Sequence, residues 1–74
     1  METSRPLDML NKARDKRVIV ELKNSKVLIG KLNAFDIHIN VVLNDAEEHE
    51  AGQLKRKLGN VFIRGDTIIL ISAE

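Results

Sequence analysis

The 74 residues hold few side chains capable of making or breaking bonds. Cysteine is absent, which excludes disulfides, thiolate metal sites and cysteine nucleophiles together. Only two histidines occur, His38 and His49, too few for a metal cluster. A small nuclease would need them side by side with a nucleophile or a metal set, and the sequence supplies neither. Asp45, Glu47, Glu48 and Glu50 offer carboxylates to a divalent cation, but a mobile polar loop rarely holds one. No metal and no cofactor is therefore expected. Basic groups are segregated. Residues 1–31 carry eight Lys or Arg against four acids, residues 45–50 carry acids alone, and residues 51–64 carry Lys55, Arg56, Lys57 and Arg64 without an acid. Two readings compete: solvated strand faces, or one basic face with an acidic loop directed elsewhere. Lys55, Arg56 and Lys57 alternate across a strand, so they do not share a face.

The elements that must position these groups follow from the hydrophobic pattern. Pro6 suits a first helical turn, Asp8 suits its positive end, and Lys12 and Arg14 suit its negative end, which predicts a helix over about 5–14. Leu7 and Leu10, with Arg14 or Ala13, share one side of it. A helix this short needs something to dock on. After Lys16 the period becomes that of strands, predicted over about 17–23, 26–36, 39–45, 52–63 and 67–72, with a two-residue turn at Asn24-Ser25 and a polar loop from Asp45 to Gly52. Gly30 and Gly59 interrupt strands, as residues at bends and bulges do. The expected architecture is mostly β: a short N-terminal α-helix, then a strongly bent five-stranded antiparallel small barrel, all in one domain spanning 1–74.

Length sharpens this. A chain so short buries only about 60–65% of the surface it exposes when unfolded, and without disulfides or metal the remaining support is oligomerisation. Ile68 to Ile71 is apolar on both faces, so the last strand is expected to pair between subunits unless the helix covers it. There is no apolar run long enough for a membrane span, and Met1 to Leu10 lacks the apolar stretch of an export signal, so a cytoplasmic protein is the expectation.

Two motifs identify a resemblance. Gly30-x-Leu32-x-x-Phe35-Asp36-x-His38-x-Asn40, continuing through Val41-Val42-Leu43-Asn44-Asp45, resembles the first motif of Sm and Sm-like proteins. Leu58-Gly59-x-Val61-Phe62-Ile63-Arg64-Gly65-Asp66-x-Ile68 resembles the second, in the Ile-Arg-Gly form that distinguishes it from bacterial Hfq. Arg5-Pro6-Leu7-Asp8 is similar to the helix start of archaeal members. The resemblance covers nearly the whole chain. It implies an Sm-like fold of the SH3-like barrel kind and a non-catalytic homo-oligomeric ring, usually of seven, closed by pairing the fourth strand of one subunit with the fifth of the next. It also implies binding of uridine-rich single-stranded RNA around the central pore, in RNA processing or ribonucleoprotein assembly, with other RNA-processing proteins as further partners.

The resemblance further implies which residues bind. His38 and Arg64, both planar, form the two faces of a slot for a base. Asn40 reads the uracil edge, because its amide carries a donor and an acceptor that match N3–H and a carbonyl, whereas cytosine would require the amide to flip. Asp36 and Asp66 are the candidates for holding that amide or for orienting Arg64. Gly65 allows a positive φ and is expected to let the loop approach the base closely. A second RNA contact on the helix side would fall at Arg5, Asn11 and Phe35, where Asn11 is not the family's His and Phe35 lacks its Tyr hydroxyl. The bland alternatives stand beside these: His38 as a surface residue, Asn40 as a turn residue, and Arg64-Gly65-Asp66 as a hairpin turn with an internal ion pair. His49 is expected to be solvated. The rival function is a small-barrel protein-interaction module without a nucleic-acid role, which near-neutral charge and scarce aromatics favour.

Overall fold

A computed structural model of the chain describes residues 5–73. The ends of the expected domain, residues 1–4 and 74, lie outside the described residues. Helix α1 spans Pro6–Lys12, with Pro at its first turn, Asp8 near its N-terminus and Lys12 in its last turn. Strands follow at β1 (Arg17–Leu22), β2 (Val27–Phe35), β3 (Val41–Glu50), β4 (Gln53–Ile63) and β5 (Ile68–Ala73). One turn of 3-10 helix, Gly65–Thr67, joins β4 to β5. All neighbouring strands are antiparallel, in the order β4-β3-β2-β1-β5. The fold class is the one the pattern predicts, a helix and then five antiparallel strands in a bent sheet.

The core is small and aliphatic. Val18 and Val20 of β1, Leu28 and Leu32 of β2, Val41, Leu43 and Ala46 of β3, and Ile63 of β4 point inward, joined by Ala13 just after the helix. Alternation puts these residues on one face, and the bend wraps that face around itself. Gly30 makes the bend possible. A Cβ there would meet the Asn44 carbonyl oxygen at 2.9 Å and the Ala46 Cα at 3.0 Å, so only glycine lets β2 and β3 approach where their register shifts. Helix α1 has no fully buried residue of its own; Leu10 packs against the core while Leu7 and Met9 remain exposed. It leaves β5 largely uncovered, with Ile69 56% and Leu70 45% exposed.

Several expectations are corrected. The segment Asp45–Glu50 is not a loop but the second half of β3, and only Ala51 and Gly52 turn the chain into β4. The charge segregation has a corresponding cause. Glu47 lies opposite Lys57 and Glu48 opposite Arg56, so acidic and basic segments are facing halves of one hairpin rather than an acidic loop and a basic face. Arg56 Nη2 reaches Glu48 at 2.9 Å, and Lys26 Nζ of the β1–β2 turn reaches it at 3.5 Å. His49, expected in solvent, is half-buried with Nε2 3.2 Å from Glu47 Oε1. The β1–β2 turn is also longer than two residues. Asn24 Oδ1 accepts the Lys26 N–H and the left-handed residue is Ser25.

Candidate nucleic-acid interface

Two turns meet at one end of the sheet. The first, residues 36–40, links β2 to β3. The second, residues 64–67, links β4 to β5. They are distant in sequence and adjacent in space because β3 pairs with both β2 and β4, which brings the two strand ends together.

The first turn is built around Asp36. Its Oδ1 accepts the backbone N–H of His38 (2.9 Å) and of Asn40 (3.1 Å), while its Oδ2 accepts the Asn40 Nδ2 (3.0 Å). The main chain closes the same loop, with Ile39 N–H donating to the Asp36 carbonyl (3.0 Å) and Asp36 N–H to the Asn40 carbonyl (3.2 Å). The hydrogen bond from the Asn40 amide, helped by the two backbone N–H groups, holds the Asp36 carboxyl below its ordinary value. Asp36 is therefore an ionised, acceptor-only group at neutral pH.

The second turn is tied to the first through Asn40. The Gly65 N–H donates to Asn40 Oδ1 at 2.8 Å. The Asn40 amide thus has its oxygen fixed by a donor and its nitrogen fixed by an acceptor. Rotating it by half a turn would oppose N–H to N–H and carbonyl oxygen to carboxylate. One N–H and one lone pair of this oriented amide stay uncommitted.

Each remaining residue has a definite place. Asp66, one of two candidates for holding the amide, pairs instead with Arg64, Nη2 to Oδ2 at 3.2 Å, so Asp36 acts on Asn40 and Asp66 on Arg64. Gly65 does not use the positive φ that glycine allows. Its need is space: a Cβ would fall on the carbonyl oxygen of His38 and 2.8 Å from the Ile39 carbonyl carbon. The close approach is to the other turn, not to a base. The side chains of His38 and Arg64 are both exposed at this junction. The three residues of the helix-side set are not drawn together in one concavity. Arg5, 3.8 Å from Asp8, lines a hollow with Pro6, Leu7, Ile37 and Ile39 that includes neither Asn11 nor Phe35. Asn11 is exposed, and Phe35 is half-buried against the core.

Sequence pattern does not single out Ile39. It has φ +61°, a left-handed conformation that β-branched residues avoid, at a cost of about 1–3 kcal/mol. Glycine, Asn or Asp would have signalled that geometry; Ile does not. The hydrogen bonds gathered by Asp36 hold the strain, and the result is a turn with a single preferred shape. Among the described residues no group of three or more His, Cys, Asp or Glu is arranged to hold a metal ion, and no helix is long and apolar enough to cross a membrane. The junction presents two exposed planar side chains, one of them the Arg64 cation, and an oriented amide. That set can clasp and read a flat heterocycle.

Comparison with known proteins follows this geometry. The LSM domain family model matches residues 8–73. A relative from Archaeoglobus fulgidus, named as an snRNP Sm-like protein, is 50% identical over 68 residues, covering 92% of this chain and 88% of its own. A relative of the same name from Methanosarcina barkeri is 48% identical over 69 residues, covering 93% and 96%. Among solved structures, a Pyrococcus abyssii Sm protein in complex with a uridine heptamer is 42% identical, with a TM-score of 0.93 over 96% of this chain and 100% of that one. A heptameric archaeal Sm protein is 36% identical, with a TM-score of 0.83 over 89% and 96%. The family match spans the segment that carries the two turns.

Proposed function

Since the chain belongs to the LSM domain family, we propose that it forms a homo-oligomeric ring, of seven copies as in the heptameric relative, that binds uridine-rich single-stranded RNA without catalysis. The observation that carries this reading is the Asn40 amide, fixed between Asp36 and the Gly65 N–H. Its free lone pair matches the N3–H of uracil and its free N–H matches a neighbouring carbonyl. Cytosine presents the opposite pair and would need the amide reversed against both partners. His38 and Arg64 supply the stacking planes, and Arg64 adds a cation. In this reading the ring serves RNA processing or ribonucleoprotein assembly.

Magnitudes favour assembly. Stacking contributes about 1–3 kcal/mol per base, and an edge contact contributes a similar amount by analogy with base readout in DNA. A lone pocket, after ordering costs, would bind at about millimolar strength. Several pockets engaging one strand gain orders of magnitude through effective concentration. The free edges at β4 and β5 support the same conclusion, since pairing the β4 of one copy with the β5 of the next removes both.

The test is light scattering combined with fluorescence anisotropy on oligo-uridine and oligo-cytidine. A ring mass and a clear preference for uridine are expected. Asn40→Ala should weaken uridine binding by about tenfold per pocket and erode the preference. Arg64→Ala should lower affinity and flatten the salt dependence. A mass near one subunit, or equal affinities for the two oligonucleotides, would overturn the reading and favour a protein-interaction module.

A further inference from the structure

Three asparagines hold one another on the outer face of the sheet. The Asn33 Nδ2 of β2 donates to Asn44 Oδ1 of β3 at 2.6 Å, and the Asn44 Nδ2 donates to Asn60 Oδ1 of β4 at 2.9 Å. Lys31 is the register partner of Asn44 on one side and of Arg17 on the other, so these residues share the face. The row Arg17, Lys31, Asn44, Asn60 crosses four strands, about 14 Å. Each part of it works against the sheet. Asn is a poor strand residue, and two cations directly opposite each other repel. Among the described residues Arg17 has Glu47 at 3.6 Å, while Lys31 has no ion pair. The asparagines also sit where pairing is irregular. Asn33 is the extra residue between the pairs Leu32↔Leu43 and Ala34↔Val42, and Asn44 with Asp45 opposes the single Asn60. Bulges re-aim side chains, and sites of function are where local rules of stability are broken.

We propose that this row is a separate contact for single-stranded RNA, in which Arg17 and Lys31 hold phosphates and the amide ladder takes base edges of any type. The proposal rests on the RNA-binding reading and extends it beyond the uridine pocket. Asn44 lies four residues from Asn40, and Asn60 four residues from Arg64, in each case about 13 Å along a strand. A strand seated in the pocket therefore needs only a short extension to reach the row. Tolerance of base type follows from how the ladder is held. Asn40 is locked between the Asp36 carboxylate and the Gly65 N–H. The three ladder amides bond only to each other among the described residues. All three can turn over together, so that Asn60 donates to Asn44 and Asn44 to Asn33, with no bond lost. The ladder then offers a donor or an acceptor at either end, as the base requires.

The chemistry of the row favours a nucleic acid over a protein. It holds two cations and three amides and no apolar anchor of the kind on which a protein interface centres. Cations with amides suit a backbone of phosphates that carries polar base edges. The sign of the surroundings agrees: Lys57 lies opposite Glu47 on β4, so Arg17, Lys31 and Lys57 outnumber Glu47 and Asp45 around the row. The row and the pocket divide the work. The pocket selects uridine, and the row adds affinity for whatever sequence flanks it, through the effective concentration that the seated strand provides.

The test is fluorescence anisotropy with a labelled uridine heptamer and with the same heptamer extended, at one end or the other, by about ten cytidines or about ten adenosines. An extension at one end should tighten binding about tenfold, to a similar degree for both bases. Asn44→Val removes both ladder bonds and suits a strand, and Lys31→Gln removes the cation at an exposed position. Each should abolish most of the gain while the heptamer affinity, its margin over a cytidine heptamer and the mass by light scattering stay unchanged. On the extended RNA alone, Lys31→Gln should also lower the slope of log affinity against log salt by about 0.7. Equal affinities of the unmodified chain for the heptamer and every extended RNA overturn the proposal and leave the face to a protein partner. A gain that survives both variants overturns it as well. A gain that differs more than about tenfold between cytidine and adenosine extensions overturns the reversible ladder. Extended RNA that binds through Lys31 when the heptamer does not bind overturns the pocket reading alone, and failure of every RNA to bind overturns both.

Discussion

At the scale of single residues, the site depends on which group constrains which. Asp36 touches the Asn40 amide and two backbone N–H groups of its own turn, so it acts as a positioning residue. Asp36→Asn keeps the size but admits an amide that can donate as well as accept. Uridine affinity should fall modestly while the preference over cytidine falls about tenfold, read by competition binding. Equal losses for both oligonucleotides would instead mark a general loosening of the turn. Gly65→Ala should be far more damaging. The added methyl cannot avoid the His38–Ile39 backbone, so the turns must separate, at a cost of about 3 kcal/mol or more in unfolding free energy by denaturant titration. The positions of His38, Asn40, Arg64, Gly65 and Asp66 were legible because two spaced motifs carry them. Their division of labour was not. The sequence treats Asp36 and Asp66 as equivalent acids, and only the pairing of Asp66 with Arg64 assigns the amide to Asp36. Gly65 was legible as a glycine in a motif, but the reason a side chain does not fit is contact with the distant His38–Ile39 backbone, which no local pattern encodes.

At the scale of elements, the β3–β4 hairpin is where pattern reading and structure part. Asp45 to Glu50 is so polar that hydropathy assigns it to a loop, yet it is strand because its partner strand is basic. A period-2 pattern of apolar residues marks a strand with one face in a core. It is silent about a hairpin that projects past the core and is joined by cross-strand charge. Glu48 is central to that join: it is 6% exposed, with Arg56 on one side and Lys26 on the other. The hydrogen bond from Arg56 holds its carboxyl below the ordinary value of 4.5, with the charges of Arg56 and Lys26 acting in the same direction. A carboxyl lowered on folding contributes stability that is complete above about 4.5 and disappears as pH falls through the lowered value. The unfolding temperature should therefore exceed that of Glu48→Gln at pH 7, and the gap should close as the pH falls below 4.5 and through the lowered value. A gap that is constant with pH would mean that Glu48 acts through packing and not through its charge.

At the scale of the whole molecule, the sheet is left open. Its order β4-β3-β2-β1-β5 never joins the first and last members, and the longest dimension, 41 Å against 21 Å in the other two, reflects long strands running past a small core. The buried core among the described residues holds no aromatic side chain, and one of the two Phe residues is mostly outside it. The sequence foreshadowed this shortage through length and composition, and it foreshadowed the remedy through an unbroken apolar run in β5. Hydropathy did not mark β4 as a second apolar edge, because Phe62 reads as an ordinary strand residue until the fold leaves it exposed. A protomer stabilised by its neighbours has a signature that an independent domain lacks. Its unfolding temperature rises with protein concentration, because dilution draws subunits toward the unfolded state by mass action. Differential scanning calorimetry over about a hundredfold range of concentration should show that rise. Phe62→Ala, at the exposed β4 edge, should weaken the dependence on concentration, whereas Asn40→Ala, which loses its bonds to Asp36 and the Gly65 N–H, should lower the whole curve without changing that dependence. Saturating oligo-uridine should raise the temperature of the unmodified chain and leave Asn40→Ala almost unmoved, which separates the contribution of assembly from that of the pocket. An unfolding temperature independent of concentration would mean that the open edges are tolerated by a single chain, and the avidity on which tight RNA binding depends would be lost with the ring.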